Sequence, residues 1–237
     1  MTFVMLFLAI FLRCAAGTYS TTFTNTENPI SERGNWINSR TLGLDWNNVR
    51  TIAGLAFGTE SGNDTGPASY NDSTSLLTGT WGSNQMAQAT VKINGIDSGV
   101  YEEVELRLRS SLSAHSCTGY EIDYSVKPTN PYVVIVRWNG ALGDFTYLTS
   151  IDHKHYVQNG DVVKATIVDS TITLYINGVV ILTVSDSTYP SGNPGMGFFL
   201  SNNGGSGNNI NWGFSSFIAT DFVESRPNPP TGLHVVH

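Results

Sequence analysis

Cysteine is scarce in this chain of 237 residues, which contains only two. We expect Cys14 to be removed with an amino-terminal segment, residues 1–17, and this leaves Cys117 alone. A single cysteine forms no disulfide within its chain, so the core must stabilise the fold. A catalytic cysteine needs a base and an electropositive setting, and only His115 is near in sequence. We therefore interpret Cys117 as an incidental thiol.

Charge is scarce as well, at 13% of residues, and it is mostly acidic. The chain has 12 basic and 19 acidic residues and a net charge of −7. Nucleic acids and anionic membranes are bound by basic surfaces, so the composition argues against both as partners. Low charge together with 24 glycines is typical of a secreted β protein rather than of a disordered chain.

Long apolar runs are absent apart from one within residues 1–17. It is shorter than the roughly 20 residues that a membrane span needs, so we predict a secretory signal peptide, cleaved after Ala16 or Gly17. No Lys or Arg precedes the run, which is unusual for a signal peptide. A lipoprotein anchor on Cys14 is the alternative, but Arg13 stands where a small residue is expected. We therefore expect an exported, extracellular protein without a membrane span.

A helical period of 3.6 residues is also missing, whereas short segments with a period of two recur, as in Gln85–Ile93. Asn177-Gly178 lies between two such segments and predicts a tight hairpin turn. The nearly continuous β-branched run 132–138 indicates a central strand buried on both faces. We predict an all-β sandwich of two antiparallel sheets over residues 18–224, followed by a proline-rich tail, 225–237.

Charged residues are concentrated in the stretch 101–110, which alternates apolar and charged side chains. The apolar positions are Val104, Leu106 and Leu108, and the charged positions are Glu103, Glu105, Arg107 and Arg109. Successive side chains of a strand point to opposite faces, so one face is dry and the other charged. The stretch 119–125 alternates similarly and carries Glu121 and Asp123 on its polar face. These faces form either a plain solvated surface or the floor of a groove.

The carboxyl-terminal third of the chain resembles a known fold family. The segments 177–179, 186–188, 191–199 and 217–219 follow in the order Asn-Gly-Val, Asp-Ser-Thr, Ser-Gly-Asn-Pro-Gly-Met-Gly-Phe-Phe and Phe-Ile-Ala. This order resembles the secreted concanavalin A-like lectin/glucanase jelly rolls, including laminin-G-like modules. The resemblance covers about residues 21–222 and implies a jelly roll whose curved sheet forms a groove for a saccharide chain. It does not specify one function, because the superfamily includes lectins, hydrolases and lyases.

On this fold we expect a glycan or polysaccharide to bind the charged face of the concave sheet. Two tryptophans flanked by glycine-rich loops would add flat rings that stack on sugar faces. The expected binding residues are Glu103, Glu105, Arg107, Arg109, Glu121, Asp123, Arg137, Trp46 and Trp81. We expect the protein to act as a monomeric, lectin-like binder.

Glycoside hydrolysis is the first alternative. Glucanases of this fold carry Glu-x-Asp-x-x-Glu or Glu-x-Asp-x-Glu on one inner strand, and Glu121-Ile-Asp123 matches the first half. Residues 125–126, Ser-Val, stand where the second Glu belongs. Glu105 or Glu103 on the neighbouring strand could replace it, because cross-strand side chains approach the roughly 5 Å separation of a retaining hydrolase. The catalytic candidates are therefore Glu121, Asp123 and Glu105.

Polysaccharide lysis is the second alternative. The segment 104–107, Val-Glu-Leu-Arg, resembles the centre of the Arg-x-Glu-Leu-Arg strand of alginate-lyase-like members, although Glu103 replaces the first Arg. A lyase needs cations to neutralise a uronate carboxylate and a base to remove a proton. The candidates are Arg107, Arg109 and Arg137 for the first role, and His153 or His155 with Tyr156 for the second.

The segment 152–155, Asp-His-Lys-His, has the residue types of a metal site. It reads as a loop, so we interpret its side chains as solvated and predict no metal or cofactor. The resemblance allows a structural calcium ion, with Asp221 as a candidate ligand.

Overall fold

A computed structural model describes residues 17–62, 72–97, 101–201 and 208–222. The predicted tail, 225–237, and the predicted signal peptide, apart from Gly17, lie outside the described residues. Within the described ranges, no helix is long and apolar enough to cross a membrane.

The described residues form fifteen strands and two short 3-10 turns. The strands are β1 Thr18–Thr21, β2 Trp36–Asn38, β3 Arg50–Ile52, β4 Leu55–Phe57, β5 Ser73–Leu77, β6 Gln85–Ile93, β7 Tyr101–Ser113, β8 Ser116–Ser125, β9 Val133–Gly140, β10 Phe145–Tyr147, β11 Val162–Val168, β12 Thr171–Ile176, β13 Val179–Ser185, β14 Asn193–Ser201 and β15 Trp212–Asp221. The turns are Arg40–Leu42 and Asn209–Asn211.

The strands form two sheets. The back sheet has the order β13-β12-β11-β6-β15-β4-β3, and β1 also pairs with β15. The front sheet has the order β10-β9-β8-β7-β14-β5-β2. Neighbouring strands are antiparallel throughout both sheets. The predicted all-β, two-sheet antiparallel jelly-roll sandwich is therefore confirmed.

The core lies between the sheets and follows the predicted alternation. The apolar residues of β6, β7 and β8 are buried in it: Ala87, Ala89, Val91, Val104, Leu106, Leu108, Tyr120, Ile122 and Tyr124. Because strand side chains alternate, the intervening polar residues of β7 and β8 lie on the outer face of the front sheet. That face carries the candidate site.

The hairpin between β12 and β13 is formed as predicted, since Asn177 and Gly178 both have positive φ, 50° and 80°. The alternating stretches 101–110 and 119–125 are shorter than the strands that contain them. Between these stretches, β7 runs to Ser113 and β8 starts at Ser116, so the two strands form a long hairpin. Where the β7–β8 hairpin extends past the core, backbone hydrogen bonds alone hold the two strands together, so polar side chains do not end them.

Candidate functional site

The outer face of the front sheet contains a groove of about 530 Å³. One side is acidic and the other is apolar and aromatic. The acidic residues are Asp72, Glu103, Glu121 and Asp123. The apolar and aromatic residues on the strands and loop beyond β8 are Val134, Val136, Trp138, Phe145, Tyr147 and Ile151.

The strand register brings the acidic residues together. On β7 and β8, Glu105 lies opposite Asp123, and Arg107 lies opposite Glu121. Cross-strand partners on one face are close enough to interact directly, so the charged rows predicted for the two strands form one cluster. Glu105 is nearly completely buried and does not line the groove. The structure therefore corrects its predicted position as a groove residue and as a catalytic carboxyl group exposed to substrate.

Arg107 lies at the centre of this cluster. Its Nη2 atom is 2.8 Å from Glu105 Oε2 and 3.6 Å from Asp72 Oδ2, and it also contacts the Glu121 carboxylate. Carboxylate oxygens of these three acids lie within 4.8 Å of one another, as in a metal site. The guanidinium supplies the positive charge there instead. A buried ion cluster of this kind depends on all its members, because any one left alone is an uncompensated charge.

More acid is buried here than one guanidinium can neutralise. Burial raises the pKa values of Asp72, Glu105 and Asp123, and the charge of Glu121 raises them further. Burial also raises the pKa of Glu103 to about 8, while a hydrogen bond from the Tyr132 hydroxyl opposes that rise. Part of the cluster therefore holds protons at neutral pH.

Apart from Glu121 Oε2, which contacts Arg107, two buried polar atoms of the groove residues have no hydrogen-bond partner among the described residues. They are Asp123 Oδ1, on a residue 6% exposed, and Trp138 Nε1, on a residue 2% exposed. Buried polar groups normally have partners, because an unsatisfied one costs about 1–3 kcal/mol. The wall of the groove thus contains one buried acceptor and one buried donor that have no partner among the described residues.

An aromatic row continues from this donor to the surface. The Trp138 ring centroid is 4.8 Å from that of Trp46 and 5.2 Å from that of Phe145. The Phe145 centroid is 5.3 Å from that of Tyr147, which is 52% exposed. The row begins in a small apolar cluster beneath the groove and ends at its rim.

The structure corrects the predicted positions of the two tryptophans. Trp46 is fully buried beneath the groove, where its Nε1–H donates to Asp72 Oδ2 at 3.2 Å and its ring supports Trp138. Trp81 packs against the inter-sheet core, and its Nε1–H donates to the Thr78 carbonyl oxygen. Glycine-rich sequence around a tryptophan did not indicate that its ring is exposed.

Arg109 is also corrected, because it leaves the polar face. Arg109 and Ser110 lie opposite the single residue Gly119, which forms a β-bulge, and Arg109 has a φ of 45°. Its guanidinium donates to the carbonyl oxygens of Ser83 at 2.6 Å, Asp169 at 2.6 Å and Tyr189 at 3.2 Å. A bulge shifts the alternation by one residue, so the period of two fails there.

Arg137 lies on the opposite face of the front sheet from the groove. It pairs in register with Tyr120, whose side chain faces the back sheet, so both point the same way. Arg137 Nη1 donates to Asp186 Oδ2 at 2.6 Å and to Thr188 Oγ1 at 2.8 Å. Its predicted place on the groove floor is therefore corrected.

The histidines of the segment 152–155 do not converge on one point. His155 Nδ1 is 3.0 Å from Asp152 Oδ2, and His153 Nδ1 is 3.3 Å from the Pro131 carbonyl oxygen. His153 lines the groove, but His155 and Tyr156 do not. Among the described residues, Arg107 lies beneath the groove and Arg109 and Arg137 lie off it, so His153 is the one lyase candidate that lines the groove.

Asp221, the candidate calcium ligand, has backbone partners. Its carboxylate accepts hydrogen bonds from the amides of Gly17 and Gly82. It therefore fastens the end of β15 to two neighbouring segments.

Cys117 is buried and forms no disulfide. Burial raises the pKa of its thiol to about 12, despite the nearby Arg107 guanidinium. The thiol stays protonated at neutral pH, which agrees with its interpretation as an incidental residue.

Sequence reasoning missed the aromatic side of the groove. The run 132–138 indicated a strand buried on both faces, and β9 is buried on both. The outer face of β9, however, forms part of the wall of the groove. Register supplies the missing signal: Asp123 pairs with Val134, so Val134, Val136 and Trp138 share the face of the acids.

Comparisons with known proteins were made by sequence and by structure. No protein-family model and no curated protein sequence matches this chain. Solved structures do match over most of it, at low sequence identity.

The carbohydrate recognition domain of Emp46p, in its potassium-bound form, has a TM-score of 0.56 and 11% identity, covering 86% of this chain and 97% of that chain. A carbohydrate-binding module, CBM66 from Bacillus subtilis, has a TM-score of 0.52 and 13% identity, covering 81% and 95%. An endo-β-galactosidase from Clostridium perfringens that releases GlcNAcα1-4Gal has a TM-score of 0.53 and 11% identity, covering 85% and 62%.

At these identities the likeness establishes the fold. The chain has the concanavalin A-like lectin/glucanase fold, which confirms the resemblance stated from the sequence. The same fold serves binding modules and enzymes, so function depends on the groove.

Proposed function

We propose that this chain binds a carbohydrate in the groove of the front sheet. The main support is that an aromatic row lies in the same groove as two buried polar atoms without a hydrogen-bond partner, Asp123 Oδ1 and Trp138 Nε1. Sugars have apolar faces that pack on aromatic rings and hydroxyls that both donate and accept. The structural neighbours support this proposal, since two of them are a carbohydrate recognition domain and a carbohydrate-binding module.

The proposed ligand is an extracellular polysaccharide. A groove of about 530 Å³ open at the Tyr147 rim suits an extended chain better than an enclosed small sugar. The proposal that the protein is exported to meet this ligand rests on the apolar run within residues 1–17.

Glycoside hydrolysis is a second candidate, favoured by the state of Glu103. Burial raises its pKa to about 8, so it holds a proton at neutral pH, as a general acid must. Glu121, fixed by Arg107 in the same groove, would serve as the carboxylate nucleophile. Glu103 would then replace Glu105 as the second carboxyl group.

Affinity gel electrophoresis tests the binding proposal, with separate gels containing β-glucan, galactan, mannan, glycol chitosan or alginate. We expect at least one polysaccharide to retard the chain. Trp138→Phe keeps the ring contacts and removes the donor, so it should weaken binding about fivefold. Trp81→Phe makes the matching change outside the groove and should leave retardation unchanged.

The proposal fails if none of the polysaccharides retards the chain, or if both variants lose retardation equally. Reducing ends and absorbance near 235 nm are followed in the same samples. Release of reducing ends that Glu103→Gln abolishes would establish the hydrolase, whereas absorbance at 235 nm would establish a lyase.

A further inference from the structure

The groove is charged with one sign only. Four lining residues carry carboxyl groups, namely Asp72, Glu103, Glu121 and Asp123, and no lysine or arginine lines it among the described residues. Arg107 lies beneath them, fully buried, with its Nη2 atom already in contact with three carboxylates. Its charge supports the floor and is not presented to a ligand.

The unpartnered atom at the edge of this cluster is an acceptor. Asp123 lines the groove and is 6% exposed, and its buried Oδ1 atom has no donor among the described residues. A neutral hydroxyl would satisfy one lone pair but would bring no positive charge to the acidic cluster. An ammonium group supplies both a positive charge and three N–H donors.

We propose that the groove selects glycans bearing free amino groups, such as unacetylated 2-amino-2-deoxyhexose units, with the ammonium bound at Asp123. This inference rests on the proposed carbohydrate-binding function and specifies its ligand class. Trp138 Nε1, independently unpartnered and 2% exposed, donates to a neighbouring hydroxyl of the sugar. The aromatic row packs against the sugar face and attracts the cation through its ring electrons.

The same charges disfavour other glycans. Uronate and sulfated polymers bring negative charge toward the carboxylates, and the described residues that line the groove include no lysine or arginine to bind that charge. N-acetylated units lack the cation and add volume at the same position. Selection therefore comes from repulsion of acidic glycans as well as attraction of amino glycans.

Proton release accompanies this binding. Several charged and titratable groups surround the proposed ammonium. Those that line the groove are Glu103 on β7, Glu121 and Asp123 on β8, Asp72 before β5, and Tyr132 and His153, while Glu105 and Arg107 lie buried beneath the floor. Burial raises the pKa values of Asp72, Glu103, Glu105 and Asp123, so the empty groove holds protons. A nearby cation favours the ionised carboxylates and expels those protons.

Isothermal titration calorimetry at pH 6 tests the inference with three hexamers of the same β1-4 linkage: glucosamine, N-acetylglucosamine and glucose. Each titration is repeated in two buffers of different ionisation enthalpy, which measures proton release. We expect the glucosamine hexamer to bind about tenfold more tightly than the glucose hexamer, to weaken with added salt, and alone to release protons.

Asp123→Asn keeps the side-chain shape and removes the charge, so it should abolish the preference for glucosamine. Asp169→Asn makes the same change at an exposed position in the turn between β11 and β12 and should preserve the preference. Equal affinity for the amino and neutral hexamers overturns the inference and leaves carbohydrate binding standing. Failure of the glucosamine hexamer to bind, while a neutral polysaccharide retards the chain, overturns only the inference. If no glycan binds in either experiment, both proposals fall.

Discussion

Arg107 and Glu121 are direct cross-strand partners on β7 and β8, and the Arg107 guanidinium contacts the Glu121 carboxylate beneath the groove. The same nitrogen also contacts Glu105 and Asp72. The Arg107 guanidinium is therefore occupied within the buried cluster and is not available to a ligand. This arrangement explains how a sheet face with mixed charges in sequence becomes a groove that presents only acid.

Replacement of Arg107 by Met should destabilise the fold strongly. The change leaves Glu105, Glu121 and Asp72 buried without a counter-charge, and breaking such a cluster costs about 3–5 kcal/mol in free energy of unfolding. Urea unfolding of wild type and Arg107→Met measures this loss of stability. Arg40→Met, on an exposed side chain, should change stability by less than about 0.5 kcal/mol. A loss for Arg107→Met no larger than this control would contradict the role given to Arg107.

Replacement of Arg109 by Met should destabilise the protein without weakening glycan binding. The guanidinium satisfies three backbone carbonyls at the bulge, and their loss costs about 2–3 kcal/mol. It lies off the groove, so the dissociation constant of the folded variant should stay within about twofold of wild type. Unfolding and titration on the same preparation measure both effects. A large loss of glycan affinity with unchanged stability would contradict the position of Arg109 outside the binding groove.

Glu103→Gln should make stability less dependent on pH. Burial raises the folded-state pKa of Glu103 from 4.5 to about 8, so the folded chain binds more protons than the unfolded chain between these values. This contribution to stability is complete below about pH 4.5 and is lost as pH rises through 8. The free energy of unfolding of the variant should equal that of wild type near pH 5. At pH 8 it should be higher by roughly 1–3 kcal/mol, a value discounted for the partial exposure of Glu103.

Thermal unfolding from pH 5 to pH 8 measures this difference. The stability of Glu103→Gln should still fall somewhat as pH rises, because burial also raises the pKa of Glu102, to about 7. Parallel profiles for wild type and variant would contradict the protonated state assigned to Glu103.

Gly197→Ala should disturb the floor of the groove. Gly197 lies on β14 over the ion cluster, and a methyl group there would overlap the Glu105 carboxylate and approach Arg107 Nε to 3.1 Å. Such overpacking costs about 1–3 kcal/mol. Gly95→Ala is the matched control, because its nearest side-chain atoms, on Asn211, are 3.5 Å away. Equal stabilities of the two variants, measured by urea unfolding, would show that the floor adjusts freely.

The sequence predicted the fold well because its evidence was local. Alternation in Gln85–Ile93 predicted the bounds of β6, and Asn177-Gly178 predicted a hairpin. These features depend on neighbouring residues, which the sequence shows directly. Glu121 and Asp123 were likewise placed on the groove by simple alternation.

The rest of the site depends on long-range register and on one bulge. Arg109 left the predicted face because two residues oppose Gly119, an irregularity that period-two reasoning does not contain. A glycine inside a strand is the signal that could have indicated it. Trp138 was not chosen among the five tryptophans of the chain, because only pairing with β8 shows which face of β9 meets the groove.

Glycan binding at the aromatic rim is the central claim, and one comparison tests it most directly. The dissociation constant of the most strongly retarded polysaccharide is measured for Tyr147→Ala, at the rim, and for Tyr175→Ala, on the back sheet. We predict that Tyr147→Ala weakens binding about fivefold or more, because it removes a stacking ring, and that Tyr175→Ala leaves it unchanged. Unchanged affinity in Tyr147→Ala, with a loss in Tyr175→Ala, would contradict binding in this groove.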